Sequence, residues 1–216
     1  EAINETLQPL SGYPIHFIYE GVSICDYIFP KTNTLQELCL VDVGYNSSKI
    51  HIIKNNTTHI RHFLPIGGQT ITQDLQICLK TDYDTAEKLK ILACTLSADN
   101  NKDTFIFQKE NFDTQLIQKI IAARLSEWMQ LLQKKTNNIP IVLYGSGSRL
   151  KNKVLFLKNK YQQNIQLLST NGLSPPCERS THTNCIAHIC YANKHNLLVQ
   201  PEKRKQPLLK WLTNFI

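Results

Sequence analysis

Residues 38–53 decide how the rest of the chain is interpreted. Their sequence is Leu38-Cys39-Leu40-Val41-Asp42-Val43-Gly44-Tyr45-Asn46-Ser47-Ser48-Lys49-Ile50-His51-Ile52-Ile53. A turn of Gly, Asn and Ser lies between two apolar, β-branched runs, which predicts a β-hairpin. Asp42 stands near the end of the first run, so its carboxylate would project just before the chain reverses. Such a carboxylate can orient a hydrated cation while the turn's N–H groups hold phosphate oxygens. Taken alone, the same residues are more often an ordinary hairpin with a polar turn.

Length, composition and charge limit the classes of protein to which the chain can belong. The chain has 216 residues, of which 42% are hydrophobic and 19% charged, so it can form one large or two small globular domains. The formal net charge is +7, with a dense basic cluster at Lys203-Arg204-Lys205. Because no basic motif is interleaved with aromatic residues, we expect no nucleic acid partner. No apolar run approaches the roughly 20 residues of a membrane span.

Cysteine usage and the first residues add two expectations. The chain does not begin with Met, and residues 1–7 resemble the end of a helix, so we expect the front of the protein to be missing. The seven cysteines form no C-x-x-C pair, which favours reduced thiols in a cytosolic protein. His and Cys concentrate over 177–195 without the clip spacing typical of zinc. We expect no metal there, and a helix that packs its Cys and Ala into a core.

Periodicity and turn signals predict the other elements. We expect strands at 15–19, 59–64, 104–107, 139–144 and 165–168, and helices ending near 28, 79, 93, 135, 160 and 192. Asp113 should cap the longest helix, and Trp128 and Met129 within it should be core residues.

Two more glycine turns follow the hairpin. Pro65-Ile66-Gly67-Gly68 precedes a helix start that Thr70 or Thr72 would cap. Gly145-Ser146-Gly147 follows a buried strand and enters a helix, which is a generic site for a phosphate or an adenosine. It is neither a Walker loop nor a dinucleotide fingerprint, because the Gly-Lys-Thr and the third Gly are absent.

The last ten residues, 207–216, predict a short amphipathic helix that Pro207 opens. The helix is too short to cross a bilayer, but it suits the interface, with the basic cluster against anionic lipid. Docking on its own domain, or in a partner groove, is the alternative. The expected membrane-binding residues are Leu208, Leu209, Lys210, Trp211, Leu212, Phe215 and Ile216.

The order of these features, from about Gly21 to Ile216, resembles FtsA, the family of bacterial actin-like cell-division proteins. The resemblance is carried by Asp42-Val43-Gly44, Pro65-Ile66-Gly67-Gly68 with Thr72 and Asp74, Ala86-Glu87-x-x-Lys90, Arg124, Gly145-Ser146-Gly147 and Lys210-Trp211-Leu212. It implies the α/β fold of the actin/Hsp70-like ATPases, which is ribonuclease H-like, with a mixed sheet flanked by helices and a C-terminal amphipathic helix.

The resemblance also implies a division of the chain. We expect the end of the first lobe at 1–36, the nucleotide-side sheet of the second lobe at 37–66, its outer helical subdomain at 67–136, the rest of that lobe at 137–176, a return helix at 177–198, a linker at 199–206 and the membrane-targeting helix at 207–216.

ATP and Mg²⁺ are the ligands that the resemblance implies. Asp42 and Gly44 would face the phosphates and the metal, Gly67 and Gly68 would line the cleft, Glu87 and Lys90 would reach the ribose or adenine, and Gly145 and Gly147 would approach the adenosine. The family's turn has consecutive glycines after the Asp, whereas Tyr45 and Asn46 follow Gly44 here, and a Cβ restricts positive φ. With no strong acid–base pair evident, we expect ATPase activity to be weak at most.

Partners and location follow from the same resemblance. The outer helical subdomain would dock the C-terminal peptide of FtsZ, with Arg124 as a partner-binding residue. The protein would bind an anionic membrane surface, self-associate into actin-like filaments, and act peripherally on the cytoplasmic face of the bacterial inner membrane at the division septum.

Three alternatives stay open. A PilM-like protein of type IV pilus assembly shares the Asp-x-Gly and Gly-Gly motifs but lacks a lipid-binding tail of this kind. A soluble ATPase or small-molecule kinase of the same superfamily would need a catalytic Asp and a sugar pocket. A metal-binding interaction module on 177–195 would need zinc.

Overall fold

The computed structural model describes residues 15–28, 37–55, 57–95, 104–107, 110–137, 139–149, 151–168 and 182–198. The strands are β1 (Glu37–Val43), β2 (Ser48–Lys54), β3 (Thr57–Leu64), β4 (Thr104–Phe107), β5 (Glu110–Asp113), β6 (Ile141–Tyr144) and β7 (Ile165–Leu167). The α-helices are α1 (Glu20–Ile28), α2 (Gly68–Leu79), α3 (Tyr83–Thr95), α4 (Thr114–Thr136), α5 (Lys151–Tyr161) and α6 (Thr183–Lys194).

Five strands form one mixed sheet in the order β3-β2-β1-β6-β7. The predicted hairpin is confirmed: β1 runs antiparallel to β2, and Asp42 pairs with Lys49 across it. On its other side β1 runs parallel to β6, which sets Asp42 beside Tyr144. The carboxyl ends of β1 and β6 therefore meet at one edge of the sheet, the place where open α/β sheets bind ligands. A separate antiparallel pair joins β4 and β5.

Side-chain alternation along β1 gives the sheet two buried faces. Cys39 and Val41 belong to the larger core, which the apolar faces of α2, α3, α4 and α5 cover. Leu38 and Leu40 point the other way, into a smaller core with Ile24 of α1 and Ala187 of α6. The expected mixed sheet flanked by helices is thus confirmed, and β1 is continuously hydrophobic from Leu38 to Val41 because both of its faces are covered.

Most helix predictions are confirmed to within a few residues. Asp113 caps α4, because its Oδ1 accepts from the N–H groups of Gln115 (2.8 Å) and Leu116 (3.1 Å). Trp128 and Met129 lie in the core, as the spacing of α4 predicts. Strand β5 was missed, since its polar sequence Glu110–Asp113 carries no β-signal of its own.

The predicted strand at 15–19 is wrong. These residues have no regular secondary structure, and none is in a strand of the described part of the chain. Phe17 is 78% exposed, and Tyr19 instead places its ring edge-on against His51, with ring centroids 5.8 Å apart. An apolar alternating run becomes a strand only when another strand offers its backbone groups, and the nearest sheet edge here is partly covered by α1.

The predicted tail helix at 207–216 and the linker before it lie outside the described residues. Among the helices that are described, none is both long enough and apolar enough to cross a membrane.

Candidate functional site

Two turns that are distant in sequence join through their backbones at the end of β1. Gly44 closes the hairpin turn by donating its N–H to the Ser47 carbonyl (2.9 Å). The first N–H groups of α2 then reach that turn: Gly68 donates to the Gly44 carbonyl (3.0 Å) and Gln69 to the Tyr45 carbonyl (2.8 Å). These helix-terminal donors are therefore used within the protein, because the turn supplies the acceptors that a capping ligand would otherwise supply.

The glycines are required by close backbone contact. A Cβ on Gly67 would lie 2.3 Å from the Tyr45 carbonyl oxygen, and one on Gly147 would lie 2.6 Å from Val43 Cγ1. Gly145 has φ +88°, in the region that favours glycine. The three predicted glycine turns thus surround the carboxyl end of β1, as a phosphate-proximal site would need.

Asp42 lies in a polar cluster that also contains Glu20, Lys49 and Asn184. The Nδ2 of Asn184 donates to Asp42 Oδ2 (3.1 Å) and to Glu20 Oε1 (3.0 Å). The ammonium of Lys49 donates to Glu20 Oε2 (2.8 Å) and lies 3.9 Å from Asp42 Oδ2. The cluster therefore joins α1, β1, β2 and α6 through charged and polar groups at one point.

The two carboxylates of the cluster have opposite electrostatic environments. Burial raises the pKa of Asp42 to about 6, and the nearby Glu20 adds to that rise. Burial also acts to raise the pKa of Glu20, but hydrogen bonds, chiefly from Lys49, outweigh it and lower that pKa. Glu20 therefore keeps its charge beside the ammonium, while Asp42 takes up a proton more readily.

The magnesium ion implied by the resemblance does not fit these residues. Within the described ranges no group of three or more His, Cys, Asp or Glu side chains could hold a metal. Asp42 and Glu20 are the carboxylates of the cluster, and Lys49 already lies within ion-pair distance of both. Mg²⁺ takes close to six oxygen ligands at about 2.0–2.1 Å, several of them from water and phosphate, but here an ammonium already pairs with both carboxylates that would anchor it and repels a second cation.

Glu87 and Lys90 lie beside the start of α2, next to Gly68. The ammonium of Lys90 donates to the Gly68 carbonyl (3.2 Å), Thr72 Oγ1 (2.8 Å) and Glu87 Oε2 (2.6 Å). Three acceptors match the three N–H donors of an ammonium, and Lys90 is only 7% exposed. In this structure it ties α3 to α2, so its role toward a ribose or adenine stays a prediction.

An apolar pocket adjoins the glycine turns. It is small, with a cavity volume of about 40 Å³, is partly open to solvent, and lies between the sheet end and helices α2, α4 and α5. Gly67, Gly68 and Gly147 form part of its wall, and Trp128 and Leu157 supply apolar surface. Sequence reasoning missed this pocket because its lining comes from elements that are far apart in the chain.

Arg124 lies at the same pocket and is held in place by acidic side chains. Its Nε donates to Asp74 Oδ2 (2.6 Å) and its Nη2 to Asp74 Oδ1 (2.7 Å), a bidentate pair between α4 and α2. Its Nη1 donates to Glu127 (2.6 Å). The guanidinium has a structural role here, and its predicted contact with a partner is not tested by the structure.

The sequence did not single out Glu20, Lys49 or Asn184. Lys49 could have been found, since the hairpin register alone sets it opposite Asp42. Asn184 lies 142 positions from Asp42, and no local pattern marks it. In α6 the alanines Ala187 and Ala192 are buried as predicted, but Cys185 and Cys190 are exposed, which corrects the expectation that this helix packs its cysteines inward.

Comparison with known proteins places these features in a family. A family model described as cell division protein FtsA matches residues 39–189. The chain is 26% identical over 170 residues to cell division protein FtsA of Bacillus subtilis (strain 168), covering 71% of this chain and 38% of that protein. It is 23% identical over 173 residues to FtsA of Pseudomonas aeruginosa, covering 71% and 42%. The chain thus spans about two-fifths of the length of these relatives.

Solved structures share the fold at low sequence identity. MreB5 of Spiroplasma citri bound to ADP superimposes with a TM-score of 0.69 at 14% identity, covering 90% of this chain and 66% of that chain. The archaeal actin homolog Ta0583 gives 0.55 at 13%, covering 82% and 55%. The PilM-PilN type IV pilus biogenesis complex gives 0.59 at 13%, covering 78% and 49%.

Proposed function

The chain belongs to the FtsA family of cell-division proteins and has the actin-like ATPase fold, and we propose that it serves to tether FtsZ filaments to the cytoplasmic face of the bacterial membrane. The observation that carries the proposal is the family match over 39–189, a range that contains nearly all of the five-stranded sheet and the cluster residues Asp42, Lys49 and Asn184 at its edge. The site of action would be the division septum, with peripheral attachment.

Nucleotide binding is the first part of the proposal. Asp42, Gly44 and the turns at 67–68 and 145–147 converge on the carboxyl end of β1. The adjoining small pocket presents apolar surface against which one face of a purine base could pack. MreB5, a structural neighbour, binds ADP. The ligand for this chain would be ATP, whose phosphates would bring negative charge to the sheet end. Hydrolysis would be weak at most, since Tyr45 and Asn46 crowd the turn.

Membrane attachment would depend on residues 207–216. Their apolar residues can share one face of a helix, and the basic cluster at 203–205 precedes them. A helix of this length would lie in the headgroup region, with Trp211 at the interface.

The FtsZ partner would meet the outer helices. Ile77 of α2 and Ile91 of α3 are 74% and 53% exposed, so this part of the molecule presents apolar side chains to solvent. An extended peptide of FtsZ would pack its apolar side chains against Ile77 and Ile91, and Arg124, beside α2, would be a charged contact for it. Self-association into actin-like filaments completes the proposal.

The experiment that tests the proposal is co-sedimentation with vesicles that contain anionic lipid. The complete natural protein should pellet, whereas a truncation after Gln206 or Trp211→Glu should stay in solution. Thr213→Glu adds the same charge to the polar side of the helix and should still pellet. Addition of the FtsZ C-terminal peptide, carrying a fluorophore, should give saturable binding to both the pelleting and the truncated forms.

The alternative is a PilM-like role in pilus assembly, which the shared fold allows. That role would be favoured if neither the complete protein nor the truncation pellets at low salt and the FtsZ peptide does not bind.

A further inference from the structure

We propose that Lys49 is the built-in cation of this site and takes the place of a divalent metal ion, so that nucleotide binding does not require Mg²⁺. The inference rests on the proposed nucleotide-binding function and names its ionic requirement. It comes from the position of one ammonium between two carboxylates, 2.8 Å from Glu20 Oε2 and 3.9 Å from Asp42 Oδ2.

The hairpin holds Lys49 in that position. Lys49 pairs directly with Asp42 between β1 and β2. The neighbouring pairs of the same hairpin, Val41 with Ile50 and Val43 with Ser48, fix this register. Because directly opposite residues project to the same face of a sheet, the ammonium and the Asp42 carboxylate must share a side. Glu20 reaches them from the first turn of α1, which packs on that face.

Three of the four carboxylate oxygens of the cluster already accept hydrogen bonds. Glu20 accepts from Asn184 at Oε1 and from Lys49 at Oε2. Asp42 accepts from Asn184 at Oδ2. Asp42 Oδ1 faces the backbone of Gly145, where a built Cβ would be 2.0 Å away. A metal ion would have to compete with an amide donor and an ammonium for these oxygens.

The charge of the cluster leads to the same conclusion. Glu20 and Asp42 carry at most two negative charges, and Lys49 contributes one positive charge. Without a nucleotide, a divalent ion would therefore change the net charge of this half-buried cluster from negative to positive, which is unfavourable.

Lys49 also remains accessible to an anion. Its side chain is 35% exposed, compared with 11% for Asp42 and 19% for Glu20. An ammonium has three N–H donors, so it can hold Glu20 and still donate to a phosphate oxygen. The phosphate would thus meet a protein cation where the family resemblance implies a metal.

Binding of a fluorescent ATP analogue, measured in EDTA and in Mg²⁺, tests the inference. The wild-type Kd should change less than about twofold between the two buffers. Lys49→Met should bind at least about tenfold more weakly in EDTA, as expected for a lost charge-assisted hydrogen bond, and Mg²⁺ should restore it. Lys49→Arg should resemble wild type, and Lys54→Met, at the exposed end of the same strand, is the matched control.

Titration with Mn²⁺ in the absence of nucleotide, followed by electron paramagnetic resonance, gives a readout that does not need ATP. We expect no bound Mn²⁺ in wild type or Lys49→Arg, and a site in Lys49→Met that Asp42→Asn removes.

The outcomes separate the two proposals. Strict Mg²⁺ dependence of wild-type binding would overturn the role of Lys49 while nucleotide binding stands. If ATP binds in neither buffer, nucleotide binding is overturned, and the Mn²⁺ titration then tests the role of Lys49 by itself. A Mn²⁺ site in wild type that Asp42→Asn removes would refute that role. A folded Lys49→Met that gains no Mn²⁺ site would refute it as well.

Discussion

Gly145 approaches Asp42 so closely that a Cβ on Gly145 would lie 2.0 Å from Asp42 Oδ1. The turn after β6 therefore has no room for a side chain beside the carboxylate at the end of β1. Gly145 also has φ +88°, which residues with a side chain rarely adopt.

Gly145→Ala should consequently destabilise the chain by at least about 2–3 kcal/mol, since it combines a steric clash with backbone strain. Urea unfolding followed by circular dichroism measures this. Gly68→Ala is the matched control, because its Cβ would meet Lys90 Nζ at an ordinary 3.7 Å. Its effect should stay within about 0.5 kcal/mol, and equal effects at both positions would contradict the close contact.

Asp42→Asn should stabilise the protein at neutral pH. The folded-state pKa of Asp42 is raised to about 6, so the stability associated with this group is fully present below the unfolded value of about 3.9 and is lost as pH rises through about 6. The variant, which stays neutral, should exceed wild type by about 1–3 kcal/mol at pH 7–8, and the difference should vanish toward pH 4.

The measurement is urea unfolding of both forms at several pH values. Glu20 acts in the opposite direction: its pKa is lowered, so its contribution to stability is lost as pH falls. For this reason the quantity compared is the difference in unfolding free energy between variant and wild type at each pH. Glu37→Gln, on the same strand but exposed, serves as the control. A difference that does not depend on pH would show that the carboxyl has no raised pKa.

Arg124 and Asp74 should be energetically coupled through their bidentate contact. Their side chains are 25% and 23% exposed, so solvent screens them only in part. A double-mutant cycle with Arg124→Lys and Asp74→Asn should give a coupling of about 1–2 kcal/mol, because lysine keeps the charge but loses the planar pair of donors.

The exposed pair Lys54 and Glu37, 3.4 Å apart, provides the comparison and should give less than about 0.5 kcal/mol. Similar coupling in both cycles would mean that Arg124 is not held by Asp74 in solution.

Ser48→Ala should cost about 1–3 kcal/mol although it removes a single oxygen. Ser48 is fully buried, accepts from Trp128 Nε1 (2.9 Å) and donates to the Ile66 carbonyl (2.8 Å). The substitution leaves the indole N–H of a core residue without its acceptor. Chemical unfolding measures the loss, and Ser47→Ala in the adjacent turn should have less than about 0.5 kcal/mol of effect.

The regular elements could be predicted because their signals are local. The 3.6-residue spacing in α4 and the turn at 44–47 each lie within one short segment, so helix and hairpin followed directly. The prediction of a strand at 15–19 was wrong because its only signal was a local apolar run. A strand also needs a partner strand, which comes from elsewhere in the chain.

The sequence by itself determined most of the segments that become helix, strand and turn, and it set Lys49 opposite Asp42 through the hairpin register. Only the tertiary structure decided that Glu20 and Asn184 join them, because α1 and α6 must first pack on the same face of the sheet. It also decided that the glycines at 67, 145 and 147 bring separate turns into backbone contact. Contacts between residues more than 100 positions apart depend on how whole elements bury their apolar faces, and no short stretch of residues encodes them.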